Sequence, residues 1–136
     1  RPWEPLDPTL FDGAEIYNAC NPPLDNLRAV NWAKENAISS GLKDAPIRWL
    51  VDDCGKFVER EIRRGNKYDG IIMDPPSYGR GPGGEVFKIE NELYSLVQSC
   101  SEILSDTPLF FLINSYTTGL SPMTMSYLLE LNVDIA

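Results

Sequence analysis

The chain has 136 residues, 43% of them hydrophobic and 24% charged, with a net charge of −8, which suits an ordinary globular domain with one modest core. Histidine is absent, and the three cysteines (Cys20, Cys54, Cys100) are widely spaced with no CxxC pair, which argues against a zinc site, a metal cofactor and any mechanism built on a histidine base. Apolar runs such as Leu109 to Ile113 are too short to cross a bilayer and the start holds no apolar leader, so a cytoplasmic protein without membrane contacts is expected.

Pro2, Pro5 and Pro8 make residues 1–12 an extended arm or linker. Ala14 to Cys20 reads as a short strand, and Asn21-Pro22-Pro23 breaks the chain. A helix follows, capped by Asp25 or Asn26, with Leu27, Val30, Ala33, Ala37 and Ile38 on one face and Gly41 as its stop. Ile47 to Val51 is a strand of β-favouring residues. Asp52 or Asp53 caps a second helix that runs to about Arg64, with Phe57, Val58, Glu61 and Ile62 setting its faces and Gly65-Asn66 ending it. Tyr68 to Met73 is a strand whose continuous apolar run predicts cover on both sheet faces. A glycine- and proline-rich loop spans Pro75 to Gly84, a long helix Phe87 to Leu104, a buried strand Leu109 to Ile113, and a last helix Met123 to Leu131. This alternation of strand and helix with short connections indicates an α/β fold with a parallel sheet.

In such sheets ligands gather at the carboxyl ends of the strands, and three of those ends are chemically marked. Asp52-Asp53-Cys54 offers a carboxylate that either caps the following helix or accepts a hydrogen bond from an exocyclic amine such as adenine N6. Asp74-Pro75-Pro76-Ser77-Tyr78 is more distinctive. Two prolines fix φ, so the turn's carbonyls and the Asp74 carboxylate form a rigid set of acceptors that can hold an amino group and aim its lone pair. Tyr78 can stack on a planar base, worth about 1–3 kcal/mol by analogy with single-strand binders. Asn114-Ser115-Tyr116-Thr117-Thr118-Gly119 either lines a substrate pocket, with Asn114 and Tyr116 as contacts, or is a solvated loop ahead of a Ser121 cap. Gly79 to Gly84 lacks the lysine and hydroxyl of a phosphate-binding loop and reads as a flexible substrate lid, with Arg80 as an anion contact. The one basic cluster, Arg60, Arg63, Arg64 and Lys67, reads as a solvated helix end favoured by the helix dipole. An RNA partner would therefore be gripped through regions outside this stretch.

The series Trp32 to Ala37, then Ile47-Arg48-Trp49 with Val51-Asp52-Asp53, then Tyr68 to Gly81 resembles the bacterial class I S-adenosylmethionine-dependent methyltransferases, in particular the group named with the 23S ribosomal RNA cytosine-5 enzymes. The resemblance covers roughly residues 26 to 131. It implies a Rossmann-like parallel sheet flanked by helices, with S-adenosylmethionine as cofactor. Asp53 would bond the adenine amine with the Cys54 backbone nearby, Asp25 would take the ribose, and Asp74, Pro75 and Pro76 would form the transfer loop against the cofactor. Two departures stand out. The family's first strand, with its glycine-rich turn, has no counterpart before Asp25, so the sheet is expected to be incomplete: residues 1–23 a proline-rich arm or remnant of an N-terminal region, residues 24–136 a partial methyltransferase domain. The abrupt change between Cys20 and Asp25 and the end at Ala136 favour missing pieces. In addition, the loop after Ile113 carries no cysteine, which moves the expected target from a ring carbon to a nitrogen or oxygen, as on an RNA base. The rival readings are a non-catalytic module that keeps the fold with a lost cofactor site, and a nucleotide-linked oxidoreductase, for which a glycine fingerprint is required and Asp-Pro-Pro has no role.

Overall fold

In the computed structural model, residues 13–18, 23–80, 84 and 86–133 are described. The chain divides into two compact units, residues 1–54 and 55–136.

The first unit holds β1 (Gly13–Asn18), α1 (Pro23–Ser39) and β2 (Ile47–Asp52). The two strands pair in parallel from Gly13 opposite Ile47 to Asn18 opposite Asp52. β1 covers most of the strand expected at Ala14 to Cys20 and lies within the stretch read as an arm; residues 1–12 and 19–22 are outside the described residues. Helix α1 starts at Pro23, earlier than an Asp25 or Asn26 cap predicts. A proline suits a first helical turn because the missing N–H has no intrahelical partner there, so Asp25 and Asn26 fall inside the helix. Val30 is buried and Ala33 and Ala37 half-buried, but Leu27 and Ile38 of the expected apolar face are exposed. The helix ends as expected at Gly41, whose φ of 78° only glycine adopts without strain. The Gly41 N–H donates to the Ile38 carbonyl and the Leu42 N–H to the Ala37 carbonyl, the paired bonds of a Schellman stop.

The second unit carries α2 (Cys54–Arg64), which begins at the last residue of the first, then β3 (Gly70–Met73), β4 (Tyr78–Arg80), β5 (Val86–Lys88), α3 (Ile89–Ser101), β6 (Phe110–Ile113) and α4 (Pro122–Asn132). Strands β3 and β6 pair in parallel, Gly70 opposite Phe110 through Met73 opposite Ile113. Each unit thus contributes one parallel strand pair joined through helix, the α/β arrangement read from the alternation. Gly65, at φ 70°, stops α2 with the same two bonds, from its own N–H to Ile62 and from Asn66 to Glu61.

Two expectations are corrected. The helix placed at Phe87 to Leu104 is shorter, because Val86–Lys88 is strand: Phe87 pairs with Gly79 in an antiparallel β4–β5 hairpin, and Lys88 keeps extended dihedrals before α3 begins. Tyr78–Arg80 and Val86–Lys88, on either side of the glycine-rich stretch, thus pair as two strands, while residues 81–83 and 85, where much of the expected lid falls, are outside the described residues. Nor is β3 covered on both faces among the described residues. Its Ile71 side packs beside the buried Phe111, whereas Ile72 is 71% exposed, opposite the half-exposed Leu112.

The core of this unit is a stripe along α3, Ile89, Leu93, Val97 and Cys100, continued by Ile103, Leu104 and Phe111. The spacing of four, four and three keeps these side chains on one helical face. Burying a side chain such as Val97 contributes about 1.5–3 kcal/mol.

Candidate active site

The backbone after β3 and the backbone after β6 leave the sheet at the same end. The last rung of that ladder is the Asn114 N–H, which donates to the Met73 carbonyl at 2.9 Å. Beyond it, Asp74 is exposed, Pro75 half-buried and Pro76 exposed, while across the ladder Asn114 is half-buried and Tyr116 is 85% exposed. The structure therefore brings together the acceptor set Asp74-Pro75-Pro76 and the expected substrate loop of Asn114 and Tyr116.

Ser77, which follows the prolines, joins the two loops. Its hydroxyl lies 2.6 Å from the Thr117 hydroxyl, and its carbonyl accepts the Ile89 N–H at 3.2 Å. Tyr78 and Arg80 sit two residues apart on β4, where side chains share a face. The Arg80 Nε donates to the Tyr78 phenolic oxygen at 2.9 Å. That bond holds a half-exposed ring and a guanidinium edge to edge, a planar stacking surface beside a cation. The Ser121 cap is also observed: its hydroxyl accepts the Thr124 N–H at 3.1 Å, with Pro122 opening α4.

In the first unit, Asp53 is exposed at the carboxyl end of β2 and its N–H donates to the Asp52 carboxylate at 2.9 Å. This leaves the Asp52 carboxylate engaged on the backbone and gives Asp53 the more exposed position. Cys54, half-buried and not in a disulfide, stands at the first turn of α2. Asp25 lies in the first turn of α1 and its side chain is outside the described ones. An open groove of about 550 Å³ between α1 and β2 is lined by Trp32 and Trp49 among others, and by none of the expected site residues. Among the described residues no cluster of three or more histidine, cysteine or acidic side chains could hold a metal, and no helix is long and apolar enough to cross a membrane.

Sequence reasoning missed two features. The first is the Ser77–Thr117 bond, between residues 40 apart in the chain. The second is Glu61, fully buried in α2. Its carboxylate accepts from the Tyr68 hydroxyl at 2.6 Å, the Asn66 amide at 2.7 Å and Arg64 at 2.7 Å. Those bonds, Tyr68 first and Asn66 next, hold its pKa down from 4.5 to about 2 although burial pushes it up. The signal was present as a carboxylate followed by donors three, five and seven residues on.

No protein-family profile matches the chain. It is similar to the ribosomal RNA large subunit methyltransferase K/L of Cellvibrio japonicus, 28% identical over 78 residues, which are 57% of this chain and 10% of that protein. The protein of the same name from Pseudoalteromonas atlantica is 43% identical over 49 residues, 36% of this chain and 6% of that one. Among solved structures, an S-adenosylmethionine-dependent methyltransferase from Agrobacterium tumefaciens superposes with a TM-score of 0.70 at 39% identity, over 83% of this chain and 35% of its own. Over most of its length the chain thus resembles an S-adenosylmethionine-dependent methyltransferase and shares its α/β fold. A further methyltransferase, solved as a complex with SAH, shares the fold at a TM-score of 0.66 and 24% identity, over 86% of this chain and 29% of its own. The chain thus spans a tenth or less of these curated relatives and about a third of the structural ones.

Proposed function

We propose that these residues form the acceptor half of a site for S-adenosylmethionine-dependent methyl transfer to a nitrogen or oxygen atom of an RNA base. The observation that carries this reading is the pairing of β3 with β6, which sets Asp74-Pro75-Pro76 next to the Asn114 to Thr117 loop. The relatives' names supply the RNA. A cofactor of this kind brings a methyl group already activated on a sulfonium, so the protein's task is alignment, which can contribute about 7–11 kcal/mol.

The donor set fits part of that cofactor. An exposed carboxylate at a strand's carboxyl end, Asp53, suits an adenine amine, with the Cys54 N–H at a helix start beside it; Asp25 would take the ribose. No glycine-rich turn for the methionine end occurs among the described residues, so that part is assigned to none of them. On the acceptor side, the Asp74 carboxylate and the Pro75 carbonyl accept from an exocyclic amine and leave its lone pair as the one free direction. Pro76 keeps that backbone from turning away. Tyr78 stacks on the base, Arg80 meets a neighbouring phosphate, and Asn114 and Tyr116 bound the far side. No histidine is needed, because no difficult proton transfer precedes the displacement. With a net charge of −8, this stretch would leave most phosphate binding to other regions of the protein, and action on ribosomal RNA would place it in the cytoplasm.

The test is transfer of labelled methyl from S-adenosylmethionine to large-subunit ribosomal RNA by the full-length protein, followed by nucleoside analysis. An N- or O-methylated nucleoside is expected. Labelled 5-methylcytidine would contradict the target chemistry, and no transfer combined with no calorimetric binding of the cofactor would favour the non-catalytic module.

A further inference from the structure

We infer that Thr117 is a positioning residue for the acceptor loop: its hydroxyl, bonded to that of Ser77, fixes the loop after β3 against the loop after β6 and so sets where the Pro75 carbonyl and Tyr78 meet the acceptor. The inference rests on the methyl-transfer reading above. Past the rung from Asn114 to Met73, Pro75 and Pro76 have no N–H to continue a ladder. The turn is stiff within itself yet short of ties to its neighbour. Among the described residues, the Ser77–Thr117 bond is the next hydrogen bond between the two loops, and at 2.6 Å it lies at the short end of the range for hydroxyl pairs.

Both partners are themselves anchored. The Ser77 carbonyl accepts from Ile89 at the start of α3, one residue beyond the hairpin. The Thr117 N–H donates to the Ser115 hydroxyl at 3.2 Å, and the Thr117 carbonyl accepts the Leu120 N–H at 3.2 Å. The hydroxyl pair therefore connects two folded turns rather than two free side chains. Ser77 stands between the acceptor set and the stacking ring, so a shift there moves both together. Displacing reacting groups by about 1 Å can lower a rate about 100-fold. A single tie whose loss loosens rather than unfolds the loop should lower it less.

The experiment uses the full-length protein with Thr117→Val, which keeps the side chain's shape, Thr117→Ser, which keeps the hydroxyl, Ser77→Ala, and the Thr117→Val/Ser77→Ala pair. Amide hydrogen exchange at residues 77–80 and 115–118 should quicken about fivefold in Thr117→Val and in Ser77→Ala, no further in the pair, and stay near the native rate in Thr117→Ser. Single-turnover methyl transfer to RNA should fall about tenfold in Thr117→Val, in Ser77→Ala and in the pair, and stay near the native rate in Thr117→Ser. Calorimetric affinity for S-adenosylmethionine should stay within twofold throughout. Unchanged exchange in Thr117→Val would overturn the tie. Quickened exchange with transfer rates within twofold of native would overturn the positioning role, as would losses that multiply in the pair. If the native protein transfers no methyl group to RNA, the proposed function and the positioning role fall together, while the exchange pattern still decides whether the tie exists.

Discussion

At the amino end of β3, Tyr68 is held through its hydroxyl by the buried Glu61, through its N–H by the Ile103 carbonyl and through its carbonyl by the Ser105 N–H. The Asp69 carbonyl accepts the Leu109 N–H, and the Lys67 ammonium caps the Glu102 carbonyl. At the carboxyl end, an exposed acidic turn is tied to its neighbour by one pair of hydroxyl groups. The same short strand is locked on one side and open on the other. A buried carboxylate with three donors on it is costly to strip but chemically inert, whereas the exposed Asp74 is accessible to a ligand. Stability is thus concentrated at one end of β3 and the proposed methyl-transfer chemistry at the other.

The sharpest way to break that contrast is Glu61→Ala. It strips three donors of their buried acceptor, and the full-length protein is expected to lose about 3 kcal/mol of unfolding free energy in urea. A loss under about 1 kcal/mol would mean that the amino end is not the locked one. The same carboxylate gives a pH signature. Its folded pKa of about 2 lies below the ordinary 4.5, so its contribution is fully present above pH 4.5 and is lost as pH falls towards 2. The contribution is about 3 kcal/mol, of which about 2 should be gone at pH 3. Glu61→Gln should flatten the stability profile across that window. Tyr68→Phe removes one bond to a charged group and should cost about 2 kcal/mol, with little change in the other two donors. At the carboxyl end, Ser121→Ala deletes the cap of α4 and should cost about 1 kcal/mol, less than either change at Glu61 or Tyr68. Urea midpoints measured side by side would reveal a reversed order.

The features legible in the sequence are those decided locally. Gly41 and Gly65 end helices because a positive φ suits no other residue as well. The Asp-Pro-Pro turn is legible because two prolines after an apolar strand leave the backbone few alternatives. What escaped was decided at a distance. Phe87 and Lys88 run directly into α3 in the sequence, and only their pairing with Gly79 and Tyr78 makes them strand. Glu61 reads only as one of the residues setting the faces of its helix until the chain turns back at Gly65 and brings Asn66 and Tyr68 onto it. The Ser77–Thr117 tie depends on the register between β3 and β6, which no local pattern specifies. Among the expected site residues, Asp74, Pro75, Asn114 and Tyr116 are brought to one end of one strand pair, and Tyr78 and Arg80 share one face of β4.

The separation of a stabilising end of β3 from a proposed reactive one is decided by pairing Asp74→Ala with Glu61→Gln in the full-length protein. Single-turnover methyl transfer to RNA and the urea midpoint are measured on both. Asp74→Ala should lower the transfer rate by about 100-fold with its unfolding free energy within about 0.5 kcal/mol of native. Glu61→Gln should lower the midpoint and leave the transfer rate of the folded protein within about twofold. A transfer rate for Asp74→Ala within about threefold of native, or a rate that falls with Glu61→Gln instead, would contradict it.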